Sequence, residues 1–201
     1  MRLIVGLGNP GRDYLHTPHN LGFAVIERLA AQGRSRTRQQ RGYAALWRGR
    51  LDQTEVVLAQ PQTYMNASGL AVGSLLRAEG LTPADLIVVA DDVALPWGML
   101  RIRERGSAGG HKGLESVIAS VGTTEFVRVR LGIQPNEAEV GDLEEYVLTP
   151  MNEEERRRAA EMVAEAAEAV RVILREGTQR AMARFNRRVT AAQPDSGGAE
   201  A

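Results

Sequence analysis

The chain has 201 residues, no cysteine, and 25 basic against 25 acidic residues, so its formal net charge at neutral pH is zero. The length suits one domain with a full core, and the missing cysteines exclude a disulfide framework, a thiol nucleophile and thiolate metal ligands. No apolar run reaches membrane-spanning length and no basic stretch with a long apolar run begins the chain, which predicts neither a membrane span nor a signal peptide.

The first predicted strand, Leu3–Val5, enters a glycine-rich turn. Residues 6–11 match G-x-G-x-x-G, the sequence fingerprint of dinucleotide binding. In that fingerprint the last glycine opens a helix whose N-terminus holds a pyrophosphate. Here the proline and glycine that close the motif predict a turn, and helical periodicity begins only near Asn20. The segment is therefore expected to present Asn9 and His19 rather than a phosphate cradle.

The rest of the chain alternates between helical and extended patterns. The predicted elements are a helix from 21, strands at 43–48 and 55–59, a helix at 70–79, strands at 86–90 and 100–105, a helix at 114–121, a strand at 126–133, an amphipathic helix from the capping box at 152–155 to Gly177, and a short helix from 178. Asn66 or Ser68 is placed to cap the helix at 70–79. This alternation predicts a single α/β domain over 1–191, followed by a disordered tail at 192–201.

Chemistry in such a sheet collects in the loops at the carboxyl ends of strands. Four side chains lie in or just beyond these loops: Asn9, His19, Asn66 and Asp91. A histidine, a carboxylate and amides can supply a base, its orienting partner and donors to a carbonyl group. Each residue also has a plain structural alternative as a turn former, a helix-start residue, a cap or a strand-end residue.

The other two histidines, His16 and His111, are expected to be solvated loop residues. The sequence has no G-x-S-x-G, no G-x-x-x-x-G-K-[ST] and no H-E-x-x-H motif, and three scattered histidines predict no zinc site. The chemistry that remains is a hydrolase that activates water, or a binding module.

Arginines fall close together in three stretches that precede the acidic segment. They are residues 34, 36, 38, 41, 48 and 50, then 101, 103 and 105, then 128 and 130, whereas acids crowd residues 137–168. The two later sets alternate along predicted strands, so the members of each set share one face. This segregation predicts a basic face for nucleic acid, with an ordinary solvated surface as the alternative.

The most specific signal is a series of motifs. They are Gly6–Gly11, Tyr14, His19-Asn20, Pro61–Gly69, Asp91-Asp92 with Leu95-Pro96, and Gly106–Leu114. In this order, and over residues 1 to 188, they resemble the bacterial peptidyl-tRNA hydrolase family. The resemblance implies a cytoplasmic, monomeric α/β enzyme with a twisted mixed β-sheet flanked by helices, without metal or cofactor. It also implies hydrolysis of the ester between a peptide and the 3′ end of tRNA, which recycles tRNA in translation and ribosome rescue.

Residue roles follow from the same resemblance. His19 matches the family's catalytic base, which activates water, and Asp91 matches the partner that orients it. Asn9 and Asn66 match amides that bind the peptide or position the water, and Met65 matches a residue of the peptide cleft. Two tyrosines of the matched motifs, Tyr14 and Tyr64, are assigned to substrate binding. The chemistry is sensible, because a neutral imidazole can take a proton from water as the water attacks an ester.

Two further assignments concern the tRNA. Arg103 and Arg130 match the basic pair that grips the 5′-phosphate of the acceptor stem. Lys112 stands where the family has asparagine, and an ammonium can donate a hydrogen bond but cannot accept one. Lys112 is therefore expected either to hold water or peptide as a donor, or to contact a tRNA phosphate.

Two other function classes stay open at this point. A non-catalytic RNA-binding relative of the same fold is one, and His19 together with Asp91 argues for the enzyme instead. The second is an NADP-dependent oxidoreductase with Arg34 or Arg36 on the 2′-phosphate, which depends on the glycine motif alone.

Overall fold

The computed structural model describes residues 1–33, 38–135 and 142–186. Its centre is a seven-stranded mixed sheet formed by β1 (Arg2–Gly6), β2 (Gln39–Arg41), β3 (Ala44–Leu51), β4 (Thr54–Pro61), β5 (Leu86–Asp92), β6 (Leu100–Arg103) and β7 (Val127–Gly132). The strand order is β2-β3-β4-β1-β5-β7-β6. The inner strands β4, β1, β5 and β7 run parallel, whereas β3 is antiparallel to β2 and β4, and β6 to β7. The predicted α/β class and mixed sheet are confirmed.

Helices cover both faces of this sheet. They are α1 (Leu21–Gln32), α2 (Ser68–Glu79), α3 (Lys112–Val121), α4 (Leu143–Leu148), α5 (Glu153–Glu176) and α6 (Thr178–Phe185). Alternate strand residues point to opposite faces, so Ile4 and Ile87 pack in the core under α1, α5 and α6. Their neighbours Leu3 and Val88 pack in a second core under α2 and α3. All seven residues of β5 are buried, as its apolar sequence predicts for a central strand.

The glycine-rich turn after β1 serves packing. Gly22 of α1 lies against the backbone at the end of β1, and a Cβ there would stand 2.5 Å from the nitrogen and oxygen of Leu7. A Cβ at Gly6 would overlap the carbonyl group of Gly22. The turn continues as short 3-10 helices at Arg12–Tyr14 and Pro18–Asn20 before α1 begins. These glycines therefore allow α1 to approach the strand closely, and the helix does not open at the motif as a dinucleotide site requires.

Some local predictions differ from the structure. Neither Asn66 nor Ser68 caps α2, because a 3-10 turn at Met65–Ala67 precedes that helix and Ala67 occupies the cap position. Ser68 Oγ instead donates to the Met65 carbonyl at 2.8 Å. The short elements β2 and α4 were not predicted. The capping box of Asn152 and Glu155 at the start of α5 is confirmed.

The edge strand β6 is covered by a side chain of the segment after α6. Asn186 Oδ1 accepts from Ile102 N at 2.7 Å, and its Nδ2 donates to Ile102 O at 3.0 Å. The predicted disordered tail at 192–201, together with Arg34 and Arg36, lies outside the described residues. None of the helices in the described ranges combines the length and the apolar character that a membrane span requires.

Candidate active site

The candidate site lies where β1, β4 and β5 end, beside the start of α3. Asn9 follows β1, Met65 follows β4, Asp91 is the penultimate residue of β5, and His111 occupies the cap position of α3. A cavity of about 220 Å³ opens here and is lined by the following residues: His19, Asp91, Asp92, Val93, Gly109, Gly110, His111, Lys112, Arg130, Leu143, Glu144 and Val147. Because the carboxyl ends of the parallel strands meet at one edge of the sheet, segments that are far apart in sequence come together here.

His19 and Asp91 are in direct contact. His19 Nδ1 lies 2.9 Å from Oδ2 and 3.0 Å from Oδ1 of Asp91, whose side chain is 2% exposed. An ionised carboxylate can only accept, so Nδ1 carries the proton. In the neutral ring the other nitrogen, Nε2, then has a free lone pair. His19 is therefore held in the tautomer that a general base needs.

His111 is a second partner of Asp91. Its Nδ1 accepts from the backbone nitrogens of Gly113 at 3.1 Å and Leu114 at 3.3 Å, which makes its side chain the N-cap of α3. Its Nε2 must then carry the proton, and this nitrogen lies 3.0 Å from Asp91 Oδ1. The expectation of a solvated loop residue was wrong, because the side chain of His111 is 7% exposed and bonded at both nitrogens. His16 is exposed, as expected.

The charge on Asp91 is held by these two histidines. Complete burial alone would raise the pKa of this carboxyl, but electrostatic attraction to His111 and His19, together with their hydrogen bonds, outweighs that effect and holds the pKa well below its usual range. Asp91 is thus a permanent carboxylate at neutral pH. It can orient the His19 ring and stabilise a positive charge that develops there.

The same three residues satisfy the distance requirement of a metal site, with one candidate ligand atom each within 4.8 Å of the others. Their hydrogen bonds disfavour that use. Both ring nitrogens that face Asp91 carry protons, and a metal on His111 Nε2 would move the proton to Nδ1. That proton would then face the two backbone donors that Nδ1 now accepts from. The arrangement fits a hydrogen-bonded triad better than a metal centre.

Asn9 is fixed by a reciprocal pair of hydrogen bonds. Its backbone nitrogen donates to Asn20 Oδ1 at 2.8 Å, and Asn20 Nδ2 donates to the Asn9 carbonyl at 2.9 Å. Asn9 Oδ1 accepts from the Met65 backbone nitrogen at 2.7 Å. The Nδ2 group of Asn9 is therefore the part of this side chain left to donate to a substrate. Asn20, which joins the loop of Asn9 to that of His19, is a positioning residue that the sequence reasoning missed.

The remaining residues assigned to substrate binding lie around this centre. Met65 is buried against Gly113 at the start of α3. Tyr64 and Asn66 flank it and are exposed, whereas Tyr14 is half-buried in the first 3-10 turn. Their side chains are not bonded to the His19–Asp91 pair in the described part of the chain.

Lys112 projects from the first turn of α3 on the rim of the cavity. It is exposed and forms an ion pair with Glu144 of α4, which raises the pKa of Lys112, chiefly through the hydrogen bond between the two side chains. The position at which the resemblance leads us to expect asparagine thus carries a charged group paired across the cavity.

The arginines of β6 and β7 share one face. Arg101 lies opposite Arg130, and Arg103 lies opposite Arg128. Arg103 is exposed. Arg130 is mostly buried, stands 3.2 Å from Asp92 Oδ2 and donates to the Ala108 carbonyl. The two residues assigned to phosphate binding therefore lie on the same face, and one of them also supports the loop before α3.

The comparisons with known proteins agree on one family. The family model described as peptidyl-tRNA hydrolase matches residues 3–193. The chain is 47% identical to a peptidyl-tRNA hydrolase of Koribacter versatilis over 98% of both chains, and 46% identical to that of Desulforudis audaxviator over 92% of this chain and 93% of the relative. A crystal structure of peptidyl-tRNA hydrolase from Acinetobacter baumannii has a TM-score of 0.84 at 29% identity, covering 92% of this chain and 94% of the other.

Proposed function

This chain belongs to the peptidyl-tRNA hydrolase family, and we propose that it cleaves the ester between peptide and tRNA with water activated by His19. The observation that carries this proposal is the bond between His19 Nδ1 and Asp91, because it leaves Nε2 free as a base. No observation favours a non-catalytic RNA-binding role.

The proposed reaction begins with water beside His19 Nε2. As the water oxygen attacks the ester carbonyl, Nε2 takes a proton from it, and Asp91 stabilises the imidazolium that forms. Asn9 Nδ2 is the proposed donor to the carbonyl oxygen as negative charge develops there. When the bond to the 3′ oxygen of the ribose breaks, Nε2 returns the proton to that oxygen. The products are a peptide with a free carboxyl group and tRNA with a free hydroxyl.

The direct test is His19→Ala, with His16→Ala as its matched control. We expect kcat of His19→Ala to fall by about two to four orders of magnitude, because the general base is lost. Binding of an uncleavable substrate analogue should change little. His16 is exposed and outside the cavity, so His16→Ala should turn over like the parent. Near-normal kcat in purified His19→Ala would remove the assignment.

We further propose that Asn66, Tyr14, Tyr64 and Lys112 contact the peptide or the 3′ end of the tRNA. Exposure of Tyr64 and Asn66 beside the anchored Met65 supports this, as does the position of Lys112 on the cavity rim. We also propose, from the resemblance to the family, that the enzyme is a monomer. The substrate is a product of translation, and we therefore propose that the enzyme works in the cytoplasm.

Arg103 and Arg130 are proposed to hold the 5′-phosphate of the acceptor stem. Arg103→Ala is the sharper variant, because Arg130 also bonds to Ala108. Loss of one phosphate contact should raise KM for peptidyl-tRNA and make the slope of log KM against log salt shallower by about 0.7 to 0.9. Cleavage of a short peptidyl-nucleotide without that phosphate should be unaffected. Equal losses on both substrates would contradict the phosphate contact.

A further inference from the structure

Arg128 of β7 is a buried cation without a carboxylate partner among the described residues. It is 2% exposed, and no acidic group of the described ranges lies within ion-pair distance of it. Burial, and then the charge of neighbouring Arg130, lower its pKa to about 10, whereas the charge of Glu125 acts in the opposite direction. Burial of a charge without an ion-pair partner is costly, so a fold that retains one needs a compensating set of hydrogen bonds.

Backbone carbonyls of two separate segments supply those bonds. Arg128 Nη1 donates to the carbonyls of Gly106 and Ser107, which open the glycine-rich loop before α3. Its Nη2 donates to Thr124 O at 2.7 Å and to Phe126 O at 3.3 Å. The guanidinium also lies over the Phe126 ring, with Cζ 4.2 Å from the ring centroid. Arg128 therefore ties the loop to the segment that enters β7.

Arg130 extends the same support by one residue. It donates to the carbonyl of Ala108, so the two arginines together hold three successive carbonyls of the loop. A Cβ at Gly109 would stand 3.1 Å from Arg130 Nη1, and Gly109 and Gly110 have φ of 60° and 79°. Glycine tolerates this backbone at little cost. The loop is thus held at its start and turns over Arg130 directly into His111.

We propose that Arg128 is a positioning residue for His19, and that it acts through the loop at residues 106–110 and through His111. The held loop places His111 Nε2 on Asp91, and Asp91 in turn orients His19. The inference rests on the proposed role of His19 and Asp91 in ester hydrolysis. A guanidinium suits the task because its planar fork reaches carbonyls on two sides, whereas an ammonium offers three donors at one point.

The test compares Arg128→Met with Ile173→Ala, a buried substitution in α5 on the opposite face of the sheet. Both should lower the melting temperature. Only Arg128→Met should also lower kcat, by about ten- to a hundredfold, because a displacement of about 1 Å in a supporting group can cost that much. KM for peptidyl-tRNA should stay within about threefold. Equal kcat in the two variants, at a temperature where both are folded, would overturn the proposal.

A double-substitution cycle separates this role from a general effect on the fold. If Arg128 acts through His111, then Arg128→Met should cost little further kcat in a His111→Ala background. Additive losses would overturn the proposal. The His111 Nε2 proton resonance should disappear or exchange faster in Arg128→Met and persist in Ile173→Ala. If Arg128→Met does not fold, Arg128→Lys is used in its place. We then expect an intermediate loss of kcat that is absent in the His111→Ala background, and an unchanged kcat would overturn the proposal.

The same measurements distinguish this inference from the proposed function. His19→Ala tests the function alone, and its failure would appear as near-normal turnover. If His19→Ala is inactive but the effects of Arg128 and His111 are additive, only the positioning role of Arg128 is lost.

Discussion

Replacement of Asp91 by asparagine tests how the two histidines share one carboxylate. Asp91 accepts from His19 Nδ1 and from His111 Nε2. An amide offers one oxygen and one NH₂ group. With its oxygen at Oδ1, which lies 3.0 Å from both histidine nitrogens, the NH₂ group stands at Oδ2, 2.9 Å from His19 Nδ1; with the two groups exchanged, the NH₂ group lies beside both histidines. In either orientation a donor faces at least one protonated ring nitrogen, and that proton must move to the opposite nitrogen of the ring.

The structure decides which histidine changes tautomer. A shift at His111 would place a proton on Nδ1, where Gly113 and Leu114 donate, and would break two backbone bonds. Each bond contributes roughly 0.5–1.5 kcal/mol, so the loss of both costs about 1–3 kcal/mol of free energy. His19 Nε2 has no such partner in the described structure. The amide oxygen should therefore face His111, and the NH₂ group should force the His19 proton onto Nε2, which removes the base.

We expect kcat of Asp91→Asn to fall by about two to four orders of magnitude, because the favoured His19 tautomer and the stabilisation of its imidazolium are both lost. The structure also predicts that the effect of His111→Ala on kcat has opposite signs in the parent and in Asp91→Asn. His111→Ala should lower kcat in the parent, yet raise it by about tenfold in the Asp91→Asn background, since the amide can then turn its oxygen to His19. Single-turnover cleavage of peptidyl-tRNA measures all four proteins, with melting temperature as the folding control. A loss on His111→Ala in both backgrounds would refute this reasoning.

Three other predictions concern the cavity rim and the packing around it. Lys112→Asn should keep kcat/KM within about threefold, because an amide N–H can donate as the ammonium does, whereas Lys112→Ala should lose about tenfold; equal losses would argue against a donor role. Gly22→Ala should destabilise the fold by about 1–3 kcal/mol or more in urea unfolding, because its Cβ would meet rigid backbone; an unchanged midpoint would contradict that contact. Both carboxylate oxygens of Glu79 accept a hydrogen bond from Arg48 at 2.6 Å, and these bonds are the chief reason why the pKa of Glu79 is lowered. The stabilisation from this pair is therefore present above about pH 4.3, the pKa in the unfolded chain, and is lost as the pH falls through the folded-state pKa. Glu79→Gln should therefore cost about 1–3 kcal/mol at pH 7, and its difference from the parent should narrow in acid.

The sequence predicted those parts of the fold whose signal is local. The apolar run of β5 and the capping box at Asn152 each specify an element through neighbouring residues, and both were confirmed. The six residues of α4 show too little periodicity for such a signal, and its cap at Asp142 acts only on the nearby Glu144 nitrogen. The glycine motif reflects close packing of α1 on β1 rather than a ligand site. The sequence alone did not show this, because the contact between Gly6 and Gly22 depends on the path of the chain between the strand and the helix.

The site could be predicted only in part. His19 and Asp91 were candidates because both follow strand ends, but their contact spans 72 positions and no spacing rule reports it. His111 was missed because its burial depends on the path of the loop before it. The two-residue period predicted that Arg128 lies on a basic face. Arg128 does share a face of the sheet with Arg103, but the loop before α3 covers its side chain, so it is buried.

The contact between Asn186 and β6 also bears on the solubility of the protein. A carboxamide carries the same donor and acceptor as a peptide group, so this single side chain occupies the Ile102 positions that a neighbouring strand would use. An open sheet edge is a template for pairing with another molecule, and proteins commonly protect such edges. Asn186 acts as a one-residue substitute for an eighth strand, and a chain shortened before it would present the free edge of β6 to other copies of itself.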